Sequence, residues 1–199
     1  MKFELKRESR KTIRKLAGIL DACDGAGFEA LIDEISAADA VFVAGWGRTK
    51  LIADALAARL AQLGVTVHSV GDVTAPALGP GDLLFVASGS GETDTVATWA
   101  SKARAAGGRV AVLTARPGSR VGRCGHVTVR IPIYDAEAEK AGRRRPRAAA
   151  QKPGMVQEIT RRTLFEEALL LYVDMLAMAL ANRLGISMQE MMGRHANLQ

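Results

Sequence analysis

Cysteine is scarce in this chain of 199 residues: there are two, Cys23 and Cys124, far apart and without a Cys-x-x-Cys spacing. That excludes a disulfide scaffold and points to a reducing, cytoplasmic setting. The three histidines, His68, His126 and His195, stand at no metal-ligand spacing, so no metal site is expected. Aromatic residues make up 5%, which argues against a stacking platform for nucleic acid, and no nucleic-acid-binding module is recognisable. Long apolar runs are missing too. The longest are broken by Asp174 and Arg183, so no membrane span is expected. Met1 to Leu20 mixes Lys, Arg and Glu throughout and offers no apolar core of a secretory signal. No Gly-x-x-x-x-Gly-Lys-Ser/Thr run occurs. Nor is there a Gly-x-Ser-x-Gly elbow, since Ser88 and Glu92 occupy the outer positions around Ser90.

What the chain does contain is the composition of one globular domain over 1–199, with 48% hydrophobic and 24% charged residues. The net charge is +6, concentrated in Lys2 to Lys15 and in Lys140 to Lys152, which includes Arg143-Arg144-Arg145. Solvated faces and a mobile loop explain this charge. Steering of an anionic substrate is the sharper alternative.

The organising stretch is Ser88-Gly89-Ser90-Gly91-Glu92-Thr93. It follows an apolar run, Leu83 to Ala87, and opens a helix-like run to Ala106. Where a strand turns into a helix, the free N–H groups and the helix dipole favour an anion. The small glycines let a ligand approach, and Ser88, Ser90 and Thr93 add hydroxyl donors. A capped turn whose serines satisfy only their own backbone is the plainer alternative. Three hydroxyls and two glycines exceed what a cap requires.

Two helices, over 3–20 and 28–37, precede the first strand, Ala40 to Ala44. Gly45-Trp46-Gly47-Arg48-Thr49 then turns into a helix to Leu63, with Ile52, Leu56, Leu60 and Leu63 at helical spacing. The Gly45-x-Gly47 pair is a weak dinucleotide signal, because Lys50 stands where the third glycine belongs. Further strands follow at Val65 to Val70, Leu83 to Ala87, Arg109 to Thr114 and His126 to Ile131. Short apolar strands alternating with helices predict a five-stranded parallel sheet, doubly wound in the flavodoxin-like manner. Ligands of such sheets bind beyond the carboxyl ends of the strands, where both glycine loops lie. The segment 133–154 loses periodicity and reads as a loop or lid. C-terminal helices and a tail fill 155–199: one helix from Val156 to Leu184, a stop at Gly185, and a short helix from Ser187 to Met192.

Glu166 shares a helical face with Leu170, Val173 and Ala177. A carboxylate beside an apolar stripe suits a general base. Glu167, with Leu171 and Met178, has a similar claim, and periodicity does not choose between them. His195 is a frayed surface residue unless the tail docks into a site on a neighbouring subunit.

Gly45-x-Gly47-Arg48-Thr49, the serine loop, Thr163-Leu164-Phe165-Glu166 and Arg194-His195-Ala196-Asn197-Leu198 occur in that order. Together they resemble the sugar isomerase (SIS) domain and, within it, the 6-phospho-3-hexuloisomerase family. The resemblance implies a homotetramer with shared sites. It also implies cofactor-free interconversion of 3-hexulose 6-phosphate and fructose 6-phosphate, a step of the ribulose monophosphate route of formaldehyde fixation. Transferred by position, Ser88, Ser90 and Thr93 hold the phosphate, Gly89, Gly91 and Glu92 complete that substrate-binding loop, and Gly47, Arg48 and Thr49 contact the substrate. Glu166 shuttles the proton and His195 assists at the oxygens. The chain departs from the family at Trp46 and Lys50, where small residues are usual, and at Thr160-Arg161-Arg162 before the glutamate motif. These bear on which sugar phosphate is taken. A non-catalytic sensor of a sugar phosphate, or an isomerase of another sugar phosphate, uses the same loop.

Overall fold

The computed structural model describes residues 4–133, 155–195 and 197. Five short apolar runs form a parallel sheet: β1 Val41–Ala44, β2 Val67–Ser69, β3 Leu83–Ala87, β4 Arg109–Thr114 and β5 Val127–Arg130. Their order is β2-β1-β3-β4-β5. The chain therefore leaves β1 in one direction to form β2, then crosses to the other side of β1 to form β3. That reversal opens a crevice between β1 and β3, at the carboxyl edge, which is where ligands bind in doubly wound sheets. The β1–β3 register, from Val41 opposite Leu83 to Ala44 opposite Val86, brings the two strand ends level. The doubly wound parallel sheet is as the apolar runs predict.

Alternation along the strands divides the core. Val41, Val43, Leu83, Phe85, Ala87, Ala111, Leu113 and Val129 face one layer. That layer is built by α1 Leu5–Asp21, α2 Gly25–Ala37, α3 Arg48–Gln62 and α5 Met155–Leu184. Phe42, Ala44, Leu84, Val86, Val110 and Val112 face the other, covered by α4 Asp94–Ala105. Each fully buried Leu or Phe contributes about 1.5–3 kcal/mol to this packing. A last helix, α6 Met188–Gly193, starts on a capping box between Ser187 and Glu190.

Element bounds differ from the sequence expectation at one instructive place. Helix α2 begins at Gly25, not at Phe28, because Asp24 accepts hydrogen bonds from the N–H groups of Ala26 and Gly27. Glycines read as a break thus sit in the first turn. Gly27 is there for closeness, since a Cβ would lie 3.0 Å from Val129. Of the expected lid over 133–154, all but Ile133 lies outside the described residues, as do Ala196 and Leu198 of the tail.

Candidate active site

The loop after β3 is shaped by its own hydroxyls. Ser88, nearly fully buried, accepts a hydrogen bond from the Gly91 N–H at 3.2 Å. Ser90 accepts from the Glu92 N–H at 3.2 Å. A serine that accepts still has its own O–H to donate, so shaping the loop and binding an anion are compatible. Thr93 takes the N-cap position of α4 but makes no side-chain cap bond, which leaves its hydroxyl for another partner. Gly91 has φ +65°, and a Cβ there would overlap the Ser119 hydroxyl. Gly91 also accepts at its carbonyl from the Val121 N–H at 2.9 Å. The Glu92 carboxylate turns to the loop after β4, accepting from the Arg120 N–H at 3.2 Å.

Gly89 ties this loop to α5. A Cβ on it would press 3.0 Å from the Phe165 ring. The next residue on α5 is Glu166, whose carboxylate meets the Arg48 guanidinium at 2.5 Å. Glu166 is 14% exposed at its side chain and Arg48 is 65% exposed, so the pair lines an opening rather than a closed core. Arg48 is the first residue of α3, immediately after Gly47, whose φ of 62° places it in a conformation favouring glycine. Thr49 donates to the Trp46 carbonyl at 2.7 Å and accepts from the Trp46 N–H at 3.2 Å, which fixes the loop after β1. Thus the loop after β1 supplies the arginine that meets the Glu166 carboxylate of α5, and the loop after β3 packs against the residue preceding it.

The structure brings together Arg48, Thr49, Glu166 and the serine loop. It does not bring His195 to them within one chain. Arg194, its neighbour, reaches the Gln62 carbonyl at 3.4 Å, at the far end of α3. The α3 axis of 15 residues separates that end from Arg48 by about 22 Å at ~1.5 Å per residue. Glu167 is told from Glu166 by its surroundings: Arg48 pairs with Glu166, whereas the Glu167 Oε2 is buried with no hydrogen-bond partner among the described residues.

Sequence reading also missed the Lys50 network. Its ammonium meets both Asp54 oxygens at 2.6 and 2.7 Å and the Ser69 hydroxyl at 2.7 Å. Lys50 is therefore engaged toward β2, the strand on the far side of β1 from the serine loop. The i,i+4 spacing of Lys50 and Asp54 was a legible signal. The contact with Ser69 was not.

Residues 34–142 match the SIS domain. The chain belongs to the SIS domain family. Its SIS relatives include the 3-hexulose-6-phosphate isomerase of Bacillus subtilis, 33% identical over 86% of each chain. The 3-hexulose-6-phosphate isomerase of Mycobacterium gastri is 38% identical, over 80% of this chain and 73% of that protein. A crystal structure from Methanococcus jannaschii, whose molecular function was inferred to be that of a 3-hexulose-6-phosphate isomerase, superposes with a TM-score of 0.77. It shares 27% identity over 97% of this chain and 99% of that one. Both glycine loops lie within the matched residues, at the carboxyl ends of β1 and β3.

Proposed function

We propose that this SIS protein interconverts D-arabino-hex-3-ulose 6-phosphate and fructose 6-phosphate through an enediol. The observation that carries the reading is the partly shielded Glu166 carboxylate, held by Arg48 beside the serine loop. The phosphate sits at the start of α4, taking N–H groups of the first turn and the hydroxyls of Ser88, Ser90 and Thr93. This grip fixes the sugar carbons relative to the base. Glu166 removes the proton from C2, giving the C2–C3 enediol, and returns it to C3, while a hydroxyl proton passes from O2 to O3. Arg48 faces the oxygen on which charge develops. A positioned acid–base group contributes ~10²–10⁴-fold.

His195 serves the oxygens from a second copy of the chain. The outward sides of α3 and α5 expose Leu51, Leu171, Met175 and Met178, with Leu51 and Met178 each 69% open. An isologous contact between these sides, with the helices antiparallel, carries the His195 end of one copy toward the Glu166 end of the other. The homotetramer implied by the resemblance repeats that contact. Under this reading the setting is cytoplasmic and the reaction is the second step of formaldehyde fixation through ribulose monophosphate. Among the described residues, no helix is long and apolar enough to cross a membrane.

The test supplies hexulose phosphate made in situ and couples fructose 6-phosphate formation to a dehydrogenase. Turnover is expected, and is expected to vanish in Glu166→Gln and in His195→Asn assayed separately. Refolding the two variants together restores turnover if sites are shared. Binding of fructose 6-phosphate without turnover in the unmodified protein would instead make it a sensor.

A further inference from the structure

We infer that Trp46 is a wall of the substrate site, packing its indole against the C–H face of the sugar chain and so setting specificity. The inference rests on the sugar-phosphate reading above. Trp46 sits at the carboxyl end of β1, between Gly45 and Gly47, one residue removed from Arg48. Its main chain is immobilised. Both its N–H and its carbonyl bond to the Thr49 hydroxyl. Gly45 allows no slack either, since a Cβ would lie 2.9 Å from the backbone of Thr49 and Lys50. The ring leans on Trp99, centroid to centroid 6.2 Å at 52°.

That contact locates the indole. Trp99 lies on α4, six residues beyond the Thr93 cap, or about 9 Å along the helix axis at ~1.5 Å per residue. Trp46 therefore bridges from the end of β1 to the flank of the helix whose start holds the phosphate. Yet 60% of it remains open. A largely open indole on a fixed loop, one residue from Arg48, suits a ligand with one apolar face. A phosphorylated polyol has such a face in its C–H groups, and aromatic walls with few polar anchors are typical of small-molecule sites.

The chain has two tryptophans, Trp46 and Trp99, so indole emission reports on this spot alone. Emission is titrated in Trp99→Phe, which isolates Trp46, with fructose 6-phosphate and with inorganic phosphate as probes. The sugar ester is expected to shift the emission and inorganic phosphate is not. By calorimetry, Trp46→Ala weakens fructose 6-phosphate binding by about tenfold, the scale of one aromatic contact, and leaves phosphate binding within about twofold. In the coupled assay KM rises while kcat holds, and Trp46→Phe recovers most of the loss. If Trp46→Ala binds fructose 6-phosphate as the unmodified protein does, or if Trp46 emission follows protein concentration and not ligand, this inference falls and the phosphosugar reading stands. If the unmodified protein binds no sugar phosphate, both fall.

Discussion

Replacing Glu166 by Gln separates catalysis from folding, and the structure sets both magnitudes. The side chain keeps its shape and loses its charge, so the contact with Arg48 at 2.5 Å changes from ion pair to neutral hydrogen bond. Arg48 is 65% exposed, so solvent screens the pair heavily. Exposed ion pairs contribute about 0.2–1 kcal/mol, and Glu166 is not buried deeply enough to move the pair out of that class. For a chain of this size 1 kcal/mol shifts the melting temperature by about 2–4 °C. Thermal unfolding followed by circular dichroism should therefore move by no more than a few degrees. Turnover in the coupled fructose 6-phosphate assay should drop by ~10³-fold or more, within the range of a positioned general base. A variant that melts normally yet turns over within tenfold of the unmodified protein would refute Glu166 as the base. One that unfolds outright would show that the carboxylate holds the fold, and the argument from screening would be wrong.

Three further expectations follow from named contacts. Gly91→Ala should destabilise the protein by about 2–4 kcal/mol in urea titrations, because φ +65° disfavours a side chain and a Cβ overlaps the Ser119 hydroxyl. Adding Ser119→Ala removes the hydroxyl but leaves its Cβ 2.5 Å from the added methyl, so recovery should be partial at most, and full recovery would contradict both the steric and the conformational part. Burial, with help from Arg104 and Arg109, lowers the His126 pKa below its ordinary 6.5. The neutral ring accepts from the Val110 N–H at 2.9 Å. Folding thus favours the neutral form: the contribution is whole above pH 6.5 and is lost as pH falls through the depressed value. Stability measured between pH 7.5 and 5 should decline, and less so in His126→Gln; equal slopes would rule the ring out. Burial raises the Cys23 thiol to about 11, so at pH 8 it should resist iodoacetamide in the native protein and react once unfolded, as peptide mapping would show. Rapid native labelling would contradict its burial.

Much of the fold was legible because its signals are local. Continuous apolar runs such as Leu83 to Ala87 mark strands buried on both faces, and the glycine-hydroxyl loop after them marks a strand-to-helix turn. Gly185 and Ser187 punctuate the last helices as capping chemistry requires. The Gly25–Gly27 segment misled because Asp24 supplies two side-chain acceptors that outweigh glycine's poor helix propensity. Glu166 and Glu167 could not be told apart by spacing, since adjacent residues on a buried helix both touch apolar neighbours.

By itself, the sequence determined the alternation of strands and helices, and with it a parallel sheet whose loops gather at one edge. It also determined which loop carries the hydroxyls, because periodicity, glycine placement and capping act between near neighbours. Only the tertiary structure decided that Arg48 faces Glu166, that Lys50 turns to Ser69, and that His195 lies at the wrong end of α3 to serve its own chain. Those outcomes depend on how helices distant in sequence settle against one sheet. That settling is governed by the packing of the whole core, which no local pattern encodes.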